Sequence, residues 1–282
     1  MRAILILSLT MIFFGSELFA GGHSSTLQDV KARGKLRCVV TTGLPGFAAP
    51  DANGVWRGFD WDFCRATAAA VLGDANAVDP ITSTGKTRFT KLNAGEGDVL
   101  WRNTTITFSR DVSVKLRFLG VNYYDGQGFM VNKSLGVKSA KELDGASVCI
   151  QTGTTTELNL ADFFSSNNMS YEAVTIETND EARQNYEAGR CDIYTTDASG
   201  LASTRSSLPN PNDHMVLPEI ISKEPLGPAV RQGDDAWADI ITWVLAATIT
   251  AEELGVTSSN VDQMKNSNNP EIRRMLGTDG RQ

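Results

Sequence analysis

The sequence predicts an α/β protein with two lobes, each built on a mostly parallel sheet. Three observations predict this fold class. Apolar, β-branched segments alternate with helical segments and are separated by short turns rich in Gly and Thr. The pattern begins at residue 26 and begins again near Val137. The chain has 282 residues, of which 41% are hydrophobic, and this length suffices for two lobes of roughly 100–150 residues each.

Residues 1–20 have the pattern of a secretory signal. Arg2 gives a positive start, residues 3–14 are almost wholly apolar, and small residues suited to cleavage occupy 20–22. The alternative is a buried helix or a membrane anchor, but the apolar run is shorter than the ~20 residues that span a bilayer. We therefore expect export to the periplasm.

The charge of the chain argues against a nucleic-acid partner. The formal net charge is −7, and removal of residues 1–20 leaves it unchanged because Arg2 and Glu17 cancel. An acidic chain without a Lys/Arg cluster is a poor binder of polyanions.

The first passage of the chain reads as the start of a βα arrangement. It contains a helix from Thr26 that Gly34 ends, a strand at 35–42, a loop at 43–56, an extended lead at 58–63 into a helix at 64–72, a helix at 88–92, a short strand at 98–101 and β-type sequence at 121–131.

The second passage repeats the alternation. It contains a short helix at 139–143, a strand at 147–150, a turn at 152–156, helices at 157–166 and 181–188, a strand at 191–195, a helix or loop at 197–207 and, after five prolines, a long helix at 236–254. With crossings near 126 and 228, we expect a first lobe at 26–126 and 228–282 and a second lobe at 127–227.

Three segments contain candidate binding residues. Arg110 and Thr105 lie in the polar stretch after the strand at 98–101, and ligands of open α/β sheets bind beyond such strand ends. Backbone N–H groups of Gly153, Thr154 and Thr155 at a helix start would bind an anion. Asp197, after a strand, would accept an ammonium group. Each has a plainer alternative: ordinary surface for the first, and a helix cap for the other two.

The sequence offers little for catalysis. Asp60 and Asp62 form no acid/base pair, because alternation in an extended segment sends them to opposite faces. His23 lies beside the cleavage site, and His214 is expected to be exposed in a Pro/Asn-rich loop. No metal-ligand spacing, P-loop or dinucleotide fingerprint occurs. Four cysteines in an exported chain favour disulfides, with three pairings possible.

Several segments together resemble the polar amino-acid substrate-binding proteins of ABC transporters (solute-binding protein family 3), in particular the general L-amino-acid-binding subgroup. They are TTGLPGFAAPD (41–51), GFDWDFCRA (58–66), RNTTITFSRD (102–111), YYDGQGFMV (123–131), IQTGTTTELNLADFF (150–164), GRCDIYTTDASGL (189–201) and SKEPLGPAVRQGD (222–234). The resemblance implies the type II periplasmic binding protein fold, whose lobes close on the ligand about a hinge.

The resemblance also implies roles for individual residues. The arginine matching Arg110 holds the ligand α-carboxylate, assisted at the positions of Asn103, Thr105 and Thr155, and the aspartate matching Asp197 takes the α-ammonium. Arg88 matches an arginine that reaches the side chain of acidic ligands, so aspartate, glutamate, asparagine and glutamine are expected among the ligands. The implied disulfides are Cys38–Cys64 and Cys149–Cys191.

The implied function is that of a periplasmic carrier, not an enzyme, that delivers L-amino acids to the permease subunits of an ABC transporter. We expect a monomer that needs no metal or cofactor. Two alternatives stay open: an exported enzyme on the same fold, such as a dehydratase, and a ligand-sensing module for a signalling receptor.

Some features depart from the family pattern. Trp61 and Thr67 replace aliphatic residues, and Trp101 replaces a serine at a place expected to be close enough to the pocket to alter its shape. Members of the subgroup also continue beyond the position of Gln282, so the return to the first lobe is expected to be shortened.

Overall fold

A computed structural model describes residues 25–280 of the chain. The predicted signal at 1–20 and His23 lie outside the described residues. Two five-stranded sheets with flanking helices form the two lobes, and this is the α/β class that the alternating pattern predicts.

The first sheet combines strands from the beginning and the end of the chain. Its order is β4 (Val78–Ser83), β1 (Leu36–Thr41), β5 (Val99–Leu100), β14 (Ala229–Arg231) and β6 (Leu116–Phe118). β1 is parallel to β4 and β5, whereas β14 is antiparallel to β5 and β6. The helices of this lobe are α1 (Thr26–Arg33), α2 (Phe59–Leu72), α3 (Arg88–Asn93), α4 (Phe108–Val112) and α8 (Asp235–Glu253), and a small hairpin joins β2 (Ala49–Pro50) to β3 (Trp56–Arg57).

The second sheet is built from the middle of the chain. Its order is β10 (Tyr171–Ile176), β9 (Ala146–Gln151), β11 (Ile193–Asp197), β8 (Gln127–Asn132) and β12 (His214–Val216). β9 is parallel to β10 and β11, and β8 is antiparallel to β11 and β12. The helices are α5 (Thr155–Ser166), α6 (Asn179–Glu187) and α7 (Ala198–Ser206).

Two short antiparallel strands connect the lobes. β7 (Tyr123–Asp125) runs from the first lobe to the second, and β13 (Glu224–Leu226) returns beside it, with Glu224 opposite Asp125. The chain thus crosses between the sheets twice, next to each other. The lobe boundaries expected from the sequence, 26–126 with 228–282 and 127–227, stay a prediction.

The last described segment follows α8 with two short helices, α9 (Val261–Met264) and α10 (Pro270–Met275). Ile272 of α10 is buried. None of the helices within residues 25–280 combines the length and the apolar character needed to cross a membrane.

Each lobe contains one disulfide. Cys38 of β1 is joined to Cys64 of α2, and Cys149 of β9 is joined to Cys191 just before β11. This is the pairing that the family resemblance implies, and each bond ties a strand to a neighbouring element of the same lobe. In the chain-entropy account, loops of this length stabilise the fold by about 3–4 kcal/mol each.

Several sequence predictions of element bounds need correction. α2 begins at Phe59, so the segment at 58–63 is mostly helical instead of extended, and α5 begins at Thr155 instead of residue 157. The five-residue helix α4 falls in a stretch that we interpreted as polar loop. Its N-cap is Thr107, whose hydroxyl accepts from the Arg110 N–H, and such local capping is hard to see in a stretch without an apolar period.

Trp101 is placed differently from the prediction. Its side chain is fully buried in the core of the first lobe, and its ring stacks on Phe63 at 4.4 Å between centroids. Its indole N–H donates to the Thr67 hydroxyl at 3.1 Å. Two residues that depart from the family pattern therefore contact each other in the core, and the expectation that Trp101 alters the pocket is wrong.

His214 was also predicted incorrectly. It lies in β12 and is half-buried, with its Nδ1 2.8 Å from the Tyr186 hydroxyl. Strand pairing of β12 with β8 explains the burial, which the flanking Pro and Asn residues obscured.

Candidate functional site

The loop after β5 brings polar groups to the edge of the first sheet. Asp60 holds this loop, because its Oδ2 accepts from the Asn103 N–H at 2.8 Å. Arg102 is anchored by its Nε, which donates to the Ser83 carbonyl oxygen at 3.3 Å. The Thr104 hydroxyl donates to the Arg102 carbonyl oxygen and tightens the turn. The backbone of the site is thus fixed by buried polar contacts.

Asp60 is a structural carboxylate and not half of a catalytic pair. Burial raises its pKa to about 6, partly offset by the Asn103 N–H and the charge of Arg102. Asp60 and Asp62 lie in the first turn of α2, so the predicted extended segment was wrong. They still point apart, because Asp60 is buried and Asp62 is exposed.

Two predicted arginines contact the same aromatic ring. Arg88, at the start of α3, donates through Nη1 to the Thr104 hydroxyl at 3.2 Å. Arg110, on α4, donates through Nη1 to the Thr105 carbonyl oxygen at 2.7 Å. Their guanidinium carbons lie 4.8 and 5.2 Å from the centroid of the Phe89 ring, which supports both cations by cation–π attraction.

Buried cations dominate the electrostatics of this edge. Burial lowers the pKa values of Arg102 and Arg110 to about 10, partly offset by nearby carboxylates, so both stay charged at neutral pH. Burial, followed by the charges of Arg102 and Arg110, also lowers the pKa of Arg88. The Nε of Arg88 is buried and has no hydrogen-bond partner among residues 25–280. An anion at this place would relieve the repulsion and the desolvation.

The turn between β9 and α5 supplies the second-lobe edge. The Thr154 hydroxyl caps α5 by accepting from the Glu157 N–H at 3.2 Å, and the Gly153 N–H donates to the Glu157 carboxylate at 3.0 Å. The N–H of Gly153 is therefore already used, and Thr154 has the capping role given as its alternative. The N–H of Thr155, in the first turn of α5, has no acceptor within the helix, so it is suited to a ligand.

Asp197 ends β11 at the bottom of the cleft. Its side chain forms no capping hydrogen bond to α7 within the described part of the chain, so the helix-cap alternative does not apply. Burial raises its pKa to about 8, with Asp125 and Glu224 adding to the rise and Arg88 and Arg110 opposing it. A bound cation would stabilise the ionised form of this carboxyl group, which burial and the neighbouring carboxylates disfavour.

The two edges face each other across a narrow cavity between the lobes. The first lobe lines it with Arg88, Arg102, Asn103 and Thr105, and the second lobe lines it with Thr154, Thr155 and Asp197. Six of the eight predicted residues thus line one cavity between the lobes, whereas Gly153 and Arg110 are not among its lining residues. Arg110 is connected to the cavity wall by the hydrogen bond that its Nη1 donates to the Thr105 carbonyl oxygen. A cationic edge faces the buried carboxyl group of Asp197, so the cavity is suited to a small zwitterion.

The lobes are in contact on both sides of this cavity. The Asn179 side chain donates to the Thr41 hydroxyl at 3.1 Å, and the Ser203 hydroxyl donates to the Pro45 carbonyl oxygen at 2.7 Å. Gly153 has φ +72°, and a Cβ there would lie 2.9 Å from the Lys86 Cα of the other lobe. The cleft is therefore closed.

One site residue was missed by sequence reasoning. Glu224 of β13 is 2% exposed and accepts from the hydroxyls of Thr105 at 2.5 Å and Thr155 at 2.8 Å. It also accepts from Asn159 at 2.7 Å and Ser222 at 2.6 Å. In the sequence it lies in a Pro-rich segment, where the prolines predict only an interruption of regular secondary structure.

Within residues 25–280, no group of three or more His, Cys, Asp or Glu side chains is placed to hold a metal ion. The chemistry of the site is therefore described by its hydrogen-bonding groups and charges, namely three guanidiniums, the threonines and the carboxyl groups of Asp197 and Glu224.

Comparison with known proteins gives consistent matches. Residues 36–259 match the family model of the bacterial extracellular solute-binding proteins, family 3. The chain is 62% identical to the glutamate/glutamine/aspartate/asparagine-binding protein BztA of Rhodobacter capsulatus, over 95% of this chain and 81% of that protein. It is 58% identical to the general L-amino acid-binding periplasmic protein AapJ of Rhizobium johnstonii, over 94% and 79%. A solved ABC transporter/periplasmic binding protein from Brucella ovis with glutathione bound is 55% identical, with a TM-score of 0.87, over 91% of this chain and 81% of that chain.

Proposed function

Because the chain belongs to family 3 of the bacterial extracellular solute-binding proteins, we propose that it captures L-amino acids in the cleft and delivers them to the permease subunits of an ABC importer. Membership confirms the predicted family and the two-lobe type II fold. Like these relatives, the chain is a solute-binding protein and not an enzyme.

One observation is central to the proposal. A buried cationic edge on one lobe faces the buried carboxyl group of Asp197 on the other, across a narrow cavity. In the proposed complex, Arg110 and the N–H groups of Thr105 and Thr155 hold the α-carboxylate. Asp197 holds the α-ammonium. These two groups are common to all L-amino acids, so the arrangement supports a broad ligand range.

We propose acidic and amide side chains as preferred ligands. The positively charged Arg88 and Arg102 also line the cavity. The buried Asn103 Oδ1 has no hydrogen-bond partner within residues 25–280. A ligand carboxylate would satisfy the arginines, and a ligand amide would also donate to Asn103. The names of the relatives BztA and AapJ are in keeping with this range.

The remaining parts of the proposal concern location and assembly. We propose export to the periplasm through the signal at 1–20, in keeping with a family of extracellular proteins. We also propose a monomer, because residues of one chain line both sides of the cavity, and no nucleic-acid partner, because the net charge is −7.

The test is a set of thermal melts of the oxidised protein with matched ligands. L-glutamate at a hundredfold excess over its Kd should stabilise the protein by about 2.7 kcal/mol, a rise in Tm of roughly 5–10 °C. Glutarate, which lacks the α-ammonium, and 4-aminobutyrate, which lacks the α-carboxylate, should have little effect. Glutathione is included because its γ-glutamyl end carries both groups. A Tm that no L-amino acid raises would exclude the proposal.

Gly85→Ala is expected to weaken ligand binding by opposing lobe closure. A Cβ at Gly85 would lie 2.9 Å from Thr154 Cγ2 and 3.0 Å from the Thr152 carbonyl oxygen, both in the other lobe. Overpacking of about 1–2 kcal/mol corresponds to a roughly tenfold higher Kd for L-glutamate in calorimetric titration. The Tm of the ligand-free protein should hardly change, because a slight separation of the lobes makes room for the methyl group. An unaltered Kd would mean that the closed contact is not part of binding.

A further inference from the structure

Glu224 is a buried carboxylate that contacts both lobes beside the proposed ligand. We infer that it is a positioning residue with two effects: it makes the Thr105 and Thr155 hydroxyls hydrogen-bond acceptors toward the ligand, and it fastens the lobes in the closed cleft. This inference rests on the proposed function, because it concerns the same site. Nothing in the local sequence around Glu224 indicates such a role.

The contacts of Glu224 span the hinge. It lies on β13, the returning connection between the lobes. Oε2 accepts from Thr105 of the first lobe at 2.5 Å and from Thr155 of the second lobe at 2.8 Å. Oε1 accepts from Asn159 of α5 at 2.7 Å and from Ser222 at 2.6 Å. Opening of the cleft must separate Thr105 from Thr155 and Asn159, so it must break part of this set.

The hydroxyl protons determine what the ligand meets. A threonine hydroxyl has one proton, and a carboxylate can only accept. Because Thr105 and Thr155 give their protons to Glu224, their oxygens present only lone pairs to the cavity. They cannot donate to the ligand α-carboxylate, which is left to Arg110 and the backbone N–H groups. They can accept from the α-ammonium, so Glu224 orients the zwitterion.

The hydrogen bonds of Glu224 argue against the alternative that its carboxylate occupies the place of a ligand carboxylate and is displaced on binding. Glu224 is 2% exposed, and in the closed cleft its Oε1 accepts hydrogen bonds from Asn159 and Ser222 that do not involve Oε2. Displacement would leave a buried carboxylate without half of its charge-assisted hydrogen bonds. The carboxylate therefore stays in place, and the ligand binds beside it.

The test compares Glu224→Gln with a matched control, Glu219→Gln. Glu219 accepts from the Ser139 hydroxyl at 2.5 Å and the Ala140 N–H at 2.9 Å, all within the second lobe. Stopped-flow and calorimetric titration with L-glutamate should give Glu224→Gln a Kd raised about tenfold or more, mainly through a faster koff. Small-angle scattering of the ligand-free protein should show a larger radius of gyration for Glu224→Gln than for wild type. Glu219→Gln should change neither quantity.

Each other outcome overturns the inference. A Glu224→Gln Kd and radius of gyration equal to those of wild type would make Glu224 merely structural, and tighter binding would make it a displaced competitor. If Glu224→Gln does not fold, Asn159→Ala, which removes one second-lobe donor, should shift both quantities in the same direction. If wild type binds no amino acid, the proposed function fails. The scattering comparison would still show whether Glu224 holds the lobes together in the closed cleft.

Discussion

Replacing Arg110 with alanine is expected to raise the Kd for L-glutamate by more than a hundredfold. Arg110 is buried, stays charged at neutral pH, and is fixed by its hydrogen bond to the Thr105 carbonyl oxygen. Without it, the α-carboxylate enters a closed cavity with no bidentate partner. Removal of one member of a buried ion pair costs about 3–5 kcal/mol, which corresponds to a factor of more than a hundred in Kd.

The control for Arg110→Ala is Arg231→Ala. Arg231 also uses Nη1 to hold carbonyl oxygens, those of Leu92 at 2.9 Å and Gly97 at 2.7 Å, but within the first lobe. Arg231→Ala should lower the Tm without changing the Kd measured by calorimetry. Arg110→Ala should leave a cooperative melt that L-glutamate no longer shifts. A Kd within a few-fold of wild type would show that Arg110 does not hold the carboxylate.

The fold could be predicted where local pattern and tertiary packing agree. The buried run at 36–41 forms β1, and Gly34 ends α1 in a left-handed conformation with φ +70°. The pattern failed where a helix is short and polar, as in α4, or begins with aromatic and acidic residues, as in α2 at Phe59. In these places capping and packing decide the structure, and neither has a strong period in the sequence.

The site could be predicted in part, for a related reason. Arg110 and Asp197 each follow a strand, so the rule that ligands lie beyond strand ends made them candidates before any geometry was known. Glu224 follows no such rule. It reaches the site because β13 returns beside β7, which is a consequence of the whole topology. Trp101 shows the opposite error: it follows the same strand but points into the core.

Ligand binding is expected to depend on pH through Asp197. Burial, followed by the charges of Asp125 and Glu224, raises its pKa to about 8. At pH 7 the group is therefore largely protonated, and the ligand ammonium must displace this proton. The affinity for L-glutamate should fall by about tenfold per pH unit below 8, with about one proton released per ligand bound.

Two experiments check this dependence, and both include Asp197→Asn. Calorimetry at pH 7 in two buffers of different ionisation enthalpy should detect the released proton for wild type, whereas Asp197→Asn should lose binding.

Because the folded-state pKa lies above the ordinary value of 3.8, the folded wild type binds more protons than the unfolded chain between these values. Its stability therefore falls as pH rises through 8. Asp197→Asn cannot ionise, so its Tm should exceed that of ligand-free wild type by more at pH 9 than at pH 6. A Kd independent of pH between 6 and 8, with no proton released, would mean that Asp197 is already ionised before the ligand ammonium binds.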